Sequence, residues 1–216
     1  MSKYSLDDFA RGTFTQDMQT DIGPDGALDL LLDGNRRYRE KRAHSFDLNK
    51  QSADTTGGQY PFAAILSCID SRVPVEHVFN LGIGDAFVAR VAGNVVDPAL
   101  LGSLEYACAV AGTPLLMILG HSSCGAVTSA VKDVKAGNIT ELLAMIRPSV
   151  EQVAKDEKRE IRPDADFVEL SVRQNVLDQL AKLRRDSPML ADLEKEGKLM
   201  VVGAVFHLGS GEVEML

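Results

Sequence analysis

Apolar residues along the chain fall into short continuous runs and longer stretches with helical spacing. Residues 61–67 (PFAAILS), 115–119 (LLMIL) and 199–206 (LMVVGAVF) are almost wholly apolar. Strands covered on both faces of a sheet have this character. Residues 85–91 (DAFVARV) make a further strand, and residues 207–216, with GSG near the middle, read as a turn into a short last strand. Helical spacing covers residues 98–111, 126–135, 139–157 and 164–185. Leu28, Leu31, Leu32 and Tyr38 share one face of a helix over 26–42, whose acidic residues come early and basic ones late, matching the helix dipole. Residues 44–59 are rich in Ser, Asp, Thr and Gly and read as loop.

Strands that alternate with helices predict parallel pairing with right-handed crossovers. The fold class is therefore α/β: a mostly parallel central sheet of four to five strands, flanked by helices, with an N-terminal helical arm. Residues 1–25 are expected to form that arm and 26–216 one domain, since no linker or repeat divides the body. A length of 216 residues suits one full core.

Composition narrows the partners. A net charge of -8 argues against nucleic acid, which is bound by clustered Lys and Arg. The one dense basic run, Arg36, Arg37, Arg39, Lys41 and Arg42, lies on a helical pattern and reads as a solvated face. Three cysteines are too few, and odd in number, for a disulfide scaffold. No apolar h-region opens the chain and no stretch of 18 apolar residues occurs, so no membrane span is expected. The expectation is a cytoplasmic protein.

Ligands of open α/β sheets bind at the carboxyl ends of strands, and two such ends carry reactive groups. Ser67-Cys68-Ile69-Asp70-Ser71-Arg72 follows the run over 61–67, and Gly120-His121-Ser122-Ser123-Cys124-Gly125 follows the run over 115–119. His121 and Cys124 alone fit a core histidine and a buried thiol as well as a metal site. With Cys68 they make one imidazole and two sulfurs, a three-ligand set with an open fourth position, as in catalytic zinc sites. The mixed sulfur and nitrogen donors favour zinc. Cys124 would open a helix, where the dipole favours a thiolate. Cys68 could instead be a core thiol, and Cys108, in the helical run EYACAVAG, is read as one. Asp70 and Arg72 could be a structural ion pair; beside a metal, Asp70 could orient or deprotonate water, or itself become the fourth ligand.

The C-x-D-S-R and G-H-x-x-C-G motifs, with Cys68 and His121 53 positions apart, resemble those of the β-class carbonic anhydrases, plant-type or type I-like bacterial members. The likeness runs from about Gly26 to the end of the chain. It takes in Gly34-Asn35, Gly84-Asp85, Arg90, Ala92-Gly93-Asn94, Ser103-Leu104-Glu105-Tyr106, Asn175-Val176 and Gly211-Glu212-Val213.

The resemblance implies Zn2+ on Cys68, His121 and Cys124, with water or Asp70 in the fourth place and an Asp70–Arg72 dyad beside it. It implies a substrate pocket of Gln59, Phe87 and Tyr106, with the Gly125 N–H as a further donor. The implied reaction is reversible hydration of carbon dioxide to bicarbonate and a proton, through zinc-bound hydroxide. The implied assembly is a homodimer or tetramer, with Gln59 and Tyr106 able to act across the subunit boundary. Two alternatives share the motifs: a hydrolase of carbon disulfide or carbonyl sulfide, and a non-enzymatic zinc-binding module, against which the Asp70–Arg72 pair speaks. One departure concerns regulation. Allosteric bacterial members carry Trp where this chain has Ile65, and this chain has no Trp, although Arg90 matches another part of their bicarbonate pocket. Ala89 and Val91 also depart from the His and Asn frequent there. Neither His77 nor His207 is placed by sequence as a proton shuttle.

Overall fold

The computed structural model describes residues 13–216. Five strands form one sheet: β1 Ala63–Ser67, β2 Ala86–Arg90, β3 Leu115–His121, β4 Met200–His207 and β5 Glu212–Met215. Their order is β2-β1-β3-β4-β5. All neighbours are parallel except β4 and β5, joined as an antiparallel hairpin. Both central strands, β1 and β3, are buried along their whole length, which is why their sequences lack polar alternation.

Successive side chains point to opposite faces, so each buried strand feeds two cores. On one face Ala64, Leu66, Leu116, Ile118 and Val205 pack with Phe167, Val172, Val176 and Leu183 of a long helix, Ala165–Asp186. On the other, Ile65, Met117 and Leu119 pack with Ala27, Leu30 and Leu31. Those three belong to the first described helix, α1, Gln16–Arg39. Gly120 permits the long helix to close on β3: a β-carbon there would meet Val176 Cγ2 at 2.7 Å.

The helix expected over 26–42 begins earlier and ends at Arg39. Thr15 caps it by accepting the Met18 N–H, and Gly23 breaks it at φ 61°, just before Pro24. Phe14, Met18 and Ile22 recur every four residues and are buried, so this part of the expected arm is packed on the body. Residues 1–12 of that arm lie outside the described residues.

The expected loop over 44–59 contains α2, Leu48–Asp54, started by Asp47, whose carboxylate accepts the Lys50 N–H. A short α3, Val75–Val78, precedes β2, and α4, Pro98–Glu105, continues into a π-helical turn at Tyr106–Val110. After β3 come α5, Gly125–Val131, and then α6, Ile139–Ala144, and α7, Arg147–Asp156. The last two replace the single helix expected over 139–157, with Pro148 in the first turn of α7 marking the restart. The long helix is α8. It is followed by α9, Pro188–Lys195, which was not expected; Ser187 caps it and Pro188 begins it.

The turn into β2 buries a carboxyl group. Asp85 Oδ2 accepts the Gly82 N–H at 2.6 Å, and Oδ1 has no hydrogen-bond partner among the described residues. Burial pushes Asp85 up to about 6, against the opposing pull of the Gly82 N–H. A carboxyl group whose folded pKa is raised gives a stability contribution that is complete below its unfolded pKa and lost as pH rises through the folded value. Wild-type stability is therefore expected to fall between about pH 4 and 6 relative to Asp85→Asn, by at most about 3 kcal/mol. Urea unfolding across that range checks this; parallel curves for the two proteins would refute it.

Candidate metal centre

The register of the sheet builds the centre. Ser67 of β1 pairs with Leu119 of β3, so Cys68, just past β1, and His121, the last residue of β3, end side by side. The chain then turns through Ser123, at φ 55°, and delivers Cys124 as the residue that begins α5. One ligand atom from each of Cys68, His121 and Cys124 lies within 4.8 Å of the others, and all three residues are buried.

The ring of His121 is fixed by its neighbour. Nδ1 lies 3.0 Å from the Ser122 carbonyl oxygen, which can only accept, so Nδ1 carries the proton and Nε2 a lone pair. Nε2 is buried with no hydrogen-bond partner among the described residues. A buried lone pair left without a donor costs free energy. A cation seated between this nitrogen and the two sulfurs removes that cost, so the donor set fits a thiophilic divalent ion.

Around the sulfurs the protein supplies positive ends of dipoles. Cys68 Sγ accepts the Gly93 N–H at 3.3 Å. A hydrogen bond from the Cys124 thiol, with further ones from the backbone of Gly93 and Asp70, holds Cys68 well below the ordinary thiol range. Cys124 is pushed up, because its thiol donates a hydrogen bond to Cys68 and because it is buried.

Asp70 and Arg72 stand beside this group. Arg72 grips both carboxylate oxygens, Nε to Oδ1 at 2.9 Å and Nη2 to Oδ2 at 2.7 Å. Its backbone N–H adds a third bond to Oδ1 at 3.0 Å. This guanidinium holds the Asp70 carboxyl well below the usual carboxylate range, and Oδ2 lies 3.8 Å from His121 Nε2. A second arginine, whose part here was not read from sequence, fixes the same loop. Arg90 donates to the Cys68 carbonyl at 3.0 Å and to the Asp70 carbonyl at 2.7 Å. It stands opposite Ser67 in the sheet, a pairing that no sequence pattern announced.

The remaining expected residues divide. Phe87 and Tyr106 meet edge to face, ring centroids 6.4 Å apart, and line a cavity of about 570 Å³ with Val88, Ala89 and Leu104. Gly125 opens α5 directly after Cys124. Gln59 is exposed in the segment before β1 and is not among the residues lining that cavity. Cys108 is buried, and its burial pushes the thiol up to about 12, in keeping with a core role. No helix among the described residues is long and apolar enough to cross a membrane.

One imidazole and two sulfurs at the carboxyl edge of a parallel sheet, with a carboxylate clamped beside them, are a donor set able to hold one metal ion in the three-ligand manner. The model of the carbonic anhydrase family matches residues 63–213. A carbonic anhydrase of Mycolicibacterium smegmatis is 35% identical over 89% of this chain and 93% of its own. Carbonic anhydrase 2 of Mycobacterium tuberculosis is 36% identical over 87% and 90%. A tetrameric β-carbonic anhydrase of Sordaria macrospora superposes with a TM-score of 0.70 at 25% identity, covering 88% of this chain and 96% of that one. The chain belongs to the carbonic anhydrase family, in its β class.

Metal dependence gives a direct measurement. An ion present at a thousand times its dissociation constant adds about 4 kcal/mol to the folded state, on the order of 10 °C in a chain of this size. Thermal unfolding of chelator-treated protein should rise by that order when zinc or cobalt is restored, and Cys68→Ser should lose most of the rise. An equal melting temperature with and without metal would rule the centre out.

Proposed function

We propose that Cys68, His121 and Cys124 hold a zinc ion, and that the chain uses it for the reversible hydration of carbon dioxide to bicarbonate and a proton. The observation that carries this reading is the buried His121 Nε2, without a hydrogen-bond partner among the described residues, facing two sulfurs beside the clamped carboxylate. Bound there, zinc supplies the Lewis acidity that makes hydroxide available near neutral pH.

The protein's own groups do the rest. Asp70, kept ionised by Arg72, can only accept hydrogen bonds, so it turns the hydrogen of a water or hydroxide toward itself and the oxygen lone pair toward substrate. Arg72 aims that carboxylate and Arg90 fixes the backbone beneath it. Phe87 and Tyr106 give an apolar wall suited to carbon dioxide. The Gly125 N–H and the Gln59 amide are the donors assigned to bicarbonate, Gln59 acting from a neighbouring subunit.

That assignment requires an oligomer. Among the described residues the edge strand β2 has a strand partner on one side only; Tyr106, against Phe87 of that strand, is 57% exposed, and Val110, at the end of the same π-helical turn, 71%. A second copy covering this edge would bury both. The free buried cysteines suit a reducing, cytoplasmic setting.

Zinc-loaded protein is expected to hydrate carbon dioxide in stopped-flow assays at pH 7 to 9. Asp70→Asn should keep its metal and lose about 100-fold in kcat/KM. Full activity in that variant would remove Asp70 from the mechanism; zinc-loaded wild type without hydration would end the reading. Sedimentation should show a dimer or tetramer at micromolar concentration, dissociated by Val110→Asp. A monomeric wild type with full activity would dismiss the subunit-boundary pocket.

A further inference from the structure

Helix α8 buries an apolar stripe, Phe167, Val168, Val172, Val176, Leu180 and Leu183, against the sheet. Two primary amides interrupt it. Asn175 is 1% and Gln179 3% exposed, one helical turn apart. Apolar residues of similar shape would pack the same volume without the cost of drying an amide, so these two side chains ask for an explanation.

Their hydrogen bonds form a directed chain. The Val96 N–H donates to Gln179 Oε1 at 2.8 Å. Gln179 Nε2 donates to Asn175 Oδ1 at 3.3 Å. Asn175 Nδ2 donates to the Gly93 carbonyl at 2.9 Å. Each amide is used as both donor and acceptor, and bonds aligned in this way polarise one another.

The chain ends on the loop that reaches the metal centre. Gly93 stands at φ 71°, and a β-carbon there would come within 2.5 Å of Ile146 Cδ1 and 3.3 Å of Ala126 Cβ. A side chain at Gly93 is thus barred by both backbone and space. In this pose the Gly93 N–H points at Cys68 Sγ. The amides of α8 therefore hold the Gly93 carbonyl, on one side of its Cα, while the N–H on the other side serves the sulfur.

We infer that Asn175 and Gln179 are positioning residues for the metal centre: they aim the Gly93 N–H at Cys68 Sγ and so set how much negative charge that sulfur gives to the metal. A thiolate that accepts a hydrogen bond donates less charge. The ion keeps more of its own, and water beside it is more acidic. Two sulfurs oppose that acidity, so a donor aimed at one of them acts where the enzyme needs it. This rests on the zinc reading above and assigns two residues, outside the ligand set and the dyad, that touch neither metal nor substrate.

The test compares cobalt-substituted wild type with Asn175→Leu and Gln179→Met, shape-conserving changes that break the chain at different links. Loss of the bond to sulfur should move the thiolate-to-cobalt charge-transfer band to lower energy. It should also weaken retention of the ion against a competing chelator by about 10 to 100-fold. Leu183→Ala, on the same helix but outside the chain, serves as a control with a comparable loss in urea unfolding and should leave both readouts at wild-type values. If Asn175→Leu does not fold, Gln179→Met carries the test. An unmoved band and unchanged metal retention in a folded variant overturn the inference, as do equal shifts in Leu183→Ala. Wild type that takes up no cobalt defeats the metal reading itself, and is distinguished from the first failure by that fact alone.

Discussion

The centre depends on the parallel pairing of β1 with β3. Parallel strands end at the same edge of the sheet, so residues far apart in the chain leave it side by side. Because Ser67 faces Leu119, Cys68 and His121 reach that edge together. One residue of slip would turn Cys68 toward the opposite core, since side chains alternate faces. The register is held by burial: every residue of both strands is inaccessible, and any slip would carry several apolar side chains out of their places. Core packing thus secures the ligand geometry at no cost to the ligands themselves.

Next in importance is the control of charge. Two sulfurs and a carboxylate crowd one small volume, and negative groups at that range repel strongly when dry. Donors around the site meet this in different ways. Arg72 neutralises Asp70 through two parallel bonds, while Arg90 binds the carbonyls of Cys68 and Asp70 and leaves the carboxylate alone. The Gly93 N–H takes one sulfur, and His121, held by Ser122, offers a neutral lone pair instead of a further charge. Arg90 is therefore occupied within the catalytic loop. Ile65, in turn, is fully buried between Val88 and Met117.

Much of this was legible in the sequence, for identifiable reasons. β1 and β3 were visible because strands covered on both faces are continuously apolar, and the ligands stood at their ends beside Gly and Ser. What stayed hidden came in two kinds. Short helices with local starts, α2 at Asp47 and α9 at Ser187, carried capping signals that composition masked. Phe14, Met18 and Ile22 are spaced for one helical face, yet polar neighbours and the break at Gly23 obscured it. The second kind was backbone chemistry. No residue pattern announces that the Gly93 N–H points at sulfur or that Arg90 binds two carbonyls, because those contacts are fixed by loop shape. Gln59 marks the corresponding limit of a single chain, since a role assigned across a subunit boundary has no geometry within one copy.

These supports also differ in stiffness, and the difference suits a catalytic site. The Gly93 loop is anchored by buried amides, and the Cys68–Asp70 backbone by two bonds from Arg90. The Asp70–Arg72 pair is another matter: the Arg72 side chain is 54% exposed and that of Asp70 17%. Water competes with such a pair, which in general contributes about 1 kcal/mol or less. The Cys68–Asp70 backbone is thus held by two bonds from Arg90, and the Asp70 carboxylate by an arginine that stands half in water. A buried pair would be harder to part, because separating its charges in a dry interior costs several kcal/mol. Partial exposure of Arg72 keeps water at hand beside the carboxylate that the proposed reaction uses.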